Sequence, residues 1–195
     1  MYSLIKVWDL PTRIFHWVLL LLFISMLSTG YLGGGFLKFH IYLGFLMCTL
    51  LIFRIVWGFV GGYWSRFQNF QFSLVSLQRQ FKFSHIPSRN VGHSPSGSWS
   101  TAVILFLLFT QVLSGLVSDD EVSYAGPLAN WISSDLSSKA TYFHTHIGKV
   151  LLLIVSTLHI IVVLYHFFCK KDQLVQAMWT GYKTINSTNP EGDRR

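Results

Sequence analysis

Apolar residues run almost unbroken through four stretches of the chain, Phe15 to Leu32, His40 to Val60, Trp99 to Val117 and Ile147 to Phe168. Each can cross about 30 Å of hydrocarbon, which takes roughly 20 residues as a helix. The pattern predicts an all-α protein, a bundle of four transmembrane helices at about 14–32, 40–62, 98–118 and 144–168. A connector at 63–97 and a loop at 119–143 complete one integral-membrane domain over 1–195. The first run is too long for the h-region of a signal peptide, and cleavage chemistry is weak around Ser28, Thr29 and Gly30, so it reads as a retained helix. Pro11 suits its first turn.

The polar intervals set an orientation, because Lys and Arg accumulate on the cytoplasmic side. Lys6 and Arg13 precede or open the first helix; the connector carries Arg66, Arg79, Lys82 and Arg89 without an acid; the tail carries Lys170, Lys171, Lys183, Arg194 and Arg195. The remaining two intervals hold Lys38 and Lys139 against Asp119, Asp120, Glu121 and Asp135. Both termini are therefore expected in the cytoplasm. Composition agrees with a membrane protein: 51% hydrophobic, 16% aromatic and only 12% charged. The net charge of +7 then reflects topology and attraction to anionic lipid. Nucleic-acid binding explains it poorly, since the basic residues flank spans instead of clustering with base-stacking aromatics. The segment FQNFQFSLVSLQRQFKFSH suits either an amphipathic stretch on the inner leaflet or a loop with aromatic anchors. Cys48 and Cys169 are far apart and lack a CxxC or CxxCH pattern, so no disulfide framework, zinc ribbon or covalently attached haem is indicated.

Candidate chemistry lies in the eight histidines. Ionisable or strongly polar groups within a membrane usually face a bundle interior and have a partner. His85 and His93 fall in the connector, where a solvated role is the default, and His166 lies near the inner end of the fourth helix beside Lys170 and Lys171. Helix direction sorts the others by depth: His16 and His159 toward the cytoplasmic side, His40 with His144 or His146 toward the opposite side. Two facing pairs at two depths is the arrangement that two six-coordinate b-type haems require. At about 100° per residue, His144 lies roughly 60° from His159 around the helix and His146 roughly 140°. His144 is therefore the better partner for His40, with His146 as the alternative. The separation of His144 from His159 rises about 22 Å, which stacks two haems within the membrane.

Gly44 and Gly148 lie one turn beyond His40 and His144, where a flat macrocycle can approach the backbone; Gly30 and Gly115 can serve similarly. Helix packing is the alternative use of these glycines. Arg13 and Arg54 can pair with haem propionates, or snorkel to the interface. A single intramembrane histidine can also be no more than hydrogen-bonded to a neighbouring helix.

Several stretches resemble the bacterial cytochrome b561 and nickel-hydrogenase b-type cytochrome family: VWDLPTRIFHW, HIYLGFLMCTLLIFRIVWGFVGGYWSRF, GHSPSGSW, GLVSDDE and LHIIVVLYHFF. The resemblance covers essentially the whole chain. It implies a four-helix membrane bundle with two haem b groups, held by His16, His40, a histidine at the start of the fourth helix and His159. It also implies electron transfer in the bacterial inner membrane between quinone or quinol and an outer partner such as a c-type cytochrome or a hydrogenase subunit. One departure stands out: the family spaces the two ligands of the fourth helix by 14, which falls here on Thr145, between the two histidines of FHTHIG.

The reading is a di-haem membrane cytochrome, with the division between electron carrier and oxidoreductase subunit left open. Asp119, Asp120 and Glu121 form a candidate docking patch for a basic redox partner, or an ordinary solvated helix end. Two rivals are a quinone oxidoreductase acting on a small oxidant such as superoxide, and a haem-free membrane anchor or metal carrier. The acidic loop opposes the first, and the lack of Asp and Glu within the spans opposes a carrier.

Overall fold

The structure is a computed structural model that describes residues 2–82, 92, 94–121 and 124–186. His85, His93, Arg89, Arg194 and Arg195 lie outside the described residues. Four helices are long and apolar enough to cross a membrane, at Leu10–Leu32, Gly34–Val60, Pro95–Val117 and Ser134–Phe168. The fold class is all-α, a four-helix membrane bundle. Within these spans every backbone N–H and C=O can be satisfied inside its own helix, the condition a bilayer imposes. Their apolar residues are not confined to one face, and large ones such as Leu21 and Phe106 remain about two-thirds exposed, as lipid contact requires.

In chain order the elements are β1 (Tyr2–Lys6), α1 (Leu10–Leu32), α2 (Leu37–Val60), α3 (Leu74–Lys82), α4 (Pro95–Val117), α5 (Ser134–Tyr142), a π-helical segment (Phe143–Gly148), α6 (Lys149–Phe168), α7 (Leu174–Thr180) and β2 (Tyr182–Asn186). They fall into two compact units. One comprises 1–17, 54–101 and 160–195; the other comprises 18–53 and 102–159.

The second unit is built on a core of Leu22, Met47, Leu51, Leu108 and Leu152, one or two from each of α1, α2, α4 and α6. The link from α1 to α2 is tight, and Gly33 and Gly34 take φ of 58° and 50° there, which side-chain-bearing residues rarely adopt. The loop expected over 119–143 is helical from Ser134 onward, a correction to the sequence reading. Ser133 caps this helix by accepting from the Leu136 N–H (3.4 Å), and Lys139 pairs with Asp135 one turn earlier (2.6 Å).

In the first unit β1 and β2 pair antiparallel, from Tyr2 opposite Asn186 to Lys6 opposite Tyr182. Val7, Trp8 and Ala177 form a small core against Trp64 and Met178. Gly181, with φ 88°, ends α7, and its carbonyl accepts the N–H groups of Val7 and Trp8 (2.8 and 3.1 Å). Pro95 opens α4 at the position where its missing N–H costs nothing, and Ser94 caps it by accepting from Gly97 N–H (3.2 Å).

Candidate functional site

His40 lies in the first turn of α2 and His144 in the π-helical segment, and in the second unit their rings are neighbours in an edge arrangement, with centroids 6.2 Å apart and planes at 87°. Nδ1 of His40 lies 3.1 Å from the Met26 carbonyl and 3.1 Å from Thr29 Oγ1. Nδ1 of His144 lies 2.8 Å from the Gln111 carbonyl and 3.2 Å from Ser114 Oγ. A carbonyl can only accept, so both Nδ1 atoms carry the proton and donate it, which leaves both Nε2 atoms with a free lone pair. Fixing a ligand ring through its other nitrogen is the usual support of a metal-binding histidine. Two imidazoles on opposite sides of one metal, with bonds of about 2 Å, place their ring centres roughly 6 Å apart. The pair meets that spacing.

The two rings sit in cradles of one construction. On α1 a carbonyl at Met26, a hydroxyl at Thr29 and a glycine at Gly30 receive His40; on α4 a carbonyl at Gln111, a hydroxyl at Ser114 and Gly115 receive His144. A Cβ at Gly30 would stand 3.3 Å from Cε1 of His40, and one at Gly115 only 2.8 Å from Cε1 of His144. The hydroxyls and Gln111 were not singled out from sequence. Their signal is the parallel between MLSTG and QVLSG, in which the carbonyl, hydroxyl and glycine recur at the same offsets.

The π-helical segment accounts for the spacing that departed from the family pattern. A π turn absorbs one extra residue relative to an α-helix, so the 15 positions from His144 to His159 turn as about 14 and the two residues fall roughly 40° apart. Gln111 Nε2 donates to the His144 carbonyl within that turn (2.7 Å). Gly148 gives Gln111 its room: a Cβ there would collide with Gln111 Oε1. His146 points elsewhere. It is exposed, stacks on Tyr142 (4.8 Å, 18°) and bonds through Nδ1 to Thr145 Oγ1 (2.7 Å).

A cavity of about 380 Å³ adjoins the pair, lined by His40, His144, Gly30, Gly44, Gly115 and Lys149 among mostly apolar side chains. A Cβ at Gly44 would meet only Met26 Cε, at 3.8 Å. Asp120 also lines it and accepts from Tyr124 N–H (2.7 Å), while Asp119 accepts from Glu121 N–H (2.8 Å), so two of the three expected patch acids shape their own loop.

The other expected residues fall one set in each unit. His159 is half-buried on α6 of the second unit. His16 belongs to the first unit, half-buried and edge-on to Trp17 (5.4 Å, 88°). Arg13 donates to the Trp179 carbonyl (2.6 Å). Arg54 is buried, donates to the Ser65 carbonyl (3.1 Å) and lies over the rings of Phe67 and Phe15 (4.8 and 5.9 Å). His166 pairs with Asp172 (2.7 Å). Asp9, which the sequence reading passed over, organises this unit. Its carboxylate caps α1 at Thr12 N–H (2.9 Å) and accepts from Gly62 N–H (3.0 Å), Ser65 Oγ (2.8 Å) and Trp57 Nε1 (3.3 Å). Burial alone would raise its pKa, but the bonds from Thr12, Ser65 and Gly62 outweigh that and hold it below the ordinary 3.8.

Residues 7–181 match the family described as prokaryotic cytochrome b561. The chain is 23% identical over 212 residues to the "Probable Ni/Fe-hydrogenase B-type cytochrome subunit" of Cupriavidus necator, covering 92% of this chain and 86% of that protein. It is 24% identical over 213 residues to the protein of the same description from Rhizobium leguminosarum bv. viciae, covering 91% and 87%. No solved structure matches it. With a match that takes in all four spans and both opposed histidines, the chain belongs to the prokaryotic cytochrome b561 family.

Proposed function

We propose that this b-type membrane cytochrome holds two haem b groups and relays single electrons across the bacterial inner membrane, between the quinone pool and an outer redox partner. The observation that carries the reading is the opposed pair His40 and His144, each with Nδ1 tied to a carbonyl and Nε2 left for a metal. Among the described residues no three His, Cys, Asp or Glu side chains converge. His40 and His144 would therefore suit an iron that brings its remaining ligands with it, as haem does. Gly44, whose missing side chain leaves space against the cavity, and the apolar lining fit a flat, largely apolar group, while Gly30 and Gly115 make room for the two imidazoles.

Bound there, haem b supplies a one-electron Fe(III)/Fe(II) couple. The chain's own residues supply the rest. The carbonyls of Met26 and Gln111 orient the two imidazoles and raise the basicity of Nε2. Leu108, Leu152 and Met47 exclude water, which limits reorganisation as charge arrives and leaves. For a second haem, the family resemblance of the sequence supports His16 and His159 as ligands, and Arg13 and Arg54 are proposed as the cations for its carboxylates. Basic flanks put both termini in the cytoplasm. The names of the relatives support a hydrogenase as the outer partner, with a c-type cytochrome as the alternative.

Purified protein with His40→Ala or His144→Ala should lose the same single haem, and the double variant no more than either. His146→Ala should retain both. Loss of different haems in the two single variants, or loss in His146→Ala alone, contradicts the assignment. Quinol should reduce the haems of the wild type in proteoliposomes; haems that only dithionite reduces argue against a quinone partner.

A further inference from the structure

Lys149 is the one Lys or Arg among the described residues lining the second unit's cavity. Its position there follows from the π turn. Five residues of α-helix rotate by about 500°, which would set Lys149 roughly 140° from His144. A π turn instead brings residues i and i+5 into hydrogen-bond register, and Lys149 stands at that spacing from His144. Helical side chains lean toward the N-terminus, and this one carries Nζ to 5.0 Å from the centre of the Tyr31 ring. Among the described residues it forms no ion pair. An ammonium beside an apolar cavity inside a span is costly without a counter-charge, and a ring face compensates it only in part. Polar groups of Ser118, Tyr124 and Thr141 share the same lining, as does Asp120, whose carboxylate accepts from Tyr124 N–H of its own loop (2.7 Å).

We propose that Lys149 is the counter-charge for a carboxylate of the group bound between His40 and His144, held in place by Tyr31, and that it sets that group's reduction potential. The inference rests on the haem reading of the cavity. A propionate reaching Lys149 gains a charge-assisted hydrogen bond, and the ammonium stabilises the reduced state, which carries one positive charge less at the iron. The π turn thus has a use beyond spacing: it places ligand and counter-charge on one face.

The first test compares cofactors: reconstitution of the haem-depleted full chain, wild type and His144→Ala, with haem b or with its dimethyl ester, whose carboxylates are neutral. The wild type should take up haem b at the His144-dependent site at least tenfold more tightly than the ester. Lys149→Met should lose that preference, and Lys149→Arg should keep it. In redox titration Lys149→Met should shift one haem about tenfold toward the oxidised form, about 59 mV lower for a one-electron couple. Lys139→Gln, which removes an exposed charge, should leave both haems unmoved. Equal uptake of haem b and ester by the wild type overturns the inference, as does an unshifted potential in Lys149→Met. A wild type that binds no haem at a site dependent on His144 instead overturns the haem reading itself.

Discussion

Replacing Gly115 by alanine adds one methyl group at a defined place. The new Cβ would stand 2.8 Å from Cε1 and 3.2 Å from Nδ1 of His144. Carbon atoms attract best at about 3.5–4.0 Å, so the ring must retreat by about 0.7 Å or α4 must shift. The ring is not free to retreat, because Nδ1 is tied to the Gln111 carbonyl at 2.8 Å. Overpacking of this kind costs about 1–3 kcal/mol, or roughly 5- to 150-fold in affinity for a group that needs the imidazole in place. Gly30→Ala offers a graded comparison, since its Cβ would stand 3.3 Å from His40 Cε1 and the overlap is only about 0.2 Å. The assay is the haem-to-protein ratio of each variant, by pyridine haemochrome, after expression at several levels of haem supply. Gly115→Ala should lose most of one haem at low supply and recover part of it at high supply, with Gly30→Ala between it and the wild type. Full occupancy and an unchanged spectrum in Gly115→Ala, or greater damage in Gly30→Ala, would refute the cradle argument.

Three further outcomes follow from named contacts. Deleting Thr145 should convert the π turn to α-helix while keeping His144 and the present His159 in rotational register, so both haems remain; deleting Val155 should rotate them apart by about 100° and remove one haem, and the same haemochrome ratio distinguishes the two. Gln111→Leu removes the amide that donates to the His144 carbonyl and should cost about 1–3 kcal/mol, read as a lower midpoint of thermal unfolding in detergent with selective loss of the His144-dependent haem. Asp9→Ala should cost about 0.5–2 kcal/mol through the lost cap. Because the folded Asp9 carboxyl lies below its ordinary 3.8, its contribution is complete above that pH and disappears as pH falls through the lower folded value. The stability gap between wild type and Asp9→Asn should therefore close in acid, and a gap independent of pH would contradict the network.

The four spans were legible because unbroken apolar length alone reports a transmembrane helix. His40 and His144 were legible as a pair because helix direction fixes depth, and the choice against His146 came from helical rotation. A uniform α-helix rotates by about 100° per residue, and the π turn departs from that rule. Its cause is tertiary: an amide from Gln111 on another helix meets the His144 carbonyl, and nothing in FHTHIG alone encodes that. The helix from Ser134 escaped notice because its residues are polar, while its signals, the cap at Ser133 and the Asp135–Lys139 pair, are local and small. The β1–β2 pairing joins segments at opposite ends of the chain, and five-residue strands carry little pattern to announce it. The role of Asp9 is not legible in VWDLPTRIFHW, because its four partners come together only when α1, the end of α2 and the turn after it are placed.

The measurement that tests the account most directly is the haem content and coordination of the purified wild-type protein, by pyridine haemochrome and low-temperature electron paramagnetic resonance. The account predicts two haem b per chain, both low-spin and six-coordinate when oxidised. A haem-free protein from cells with ample haem, or a single high-spin haem that survives the loss of His40 and His144, would contradict it.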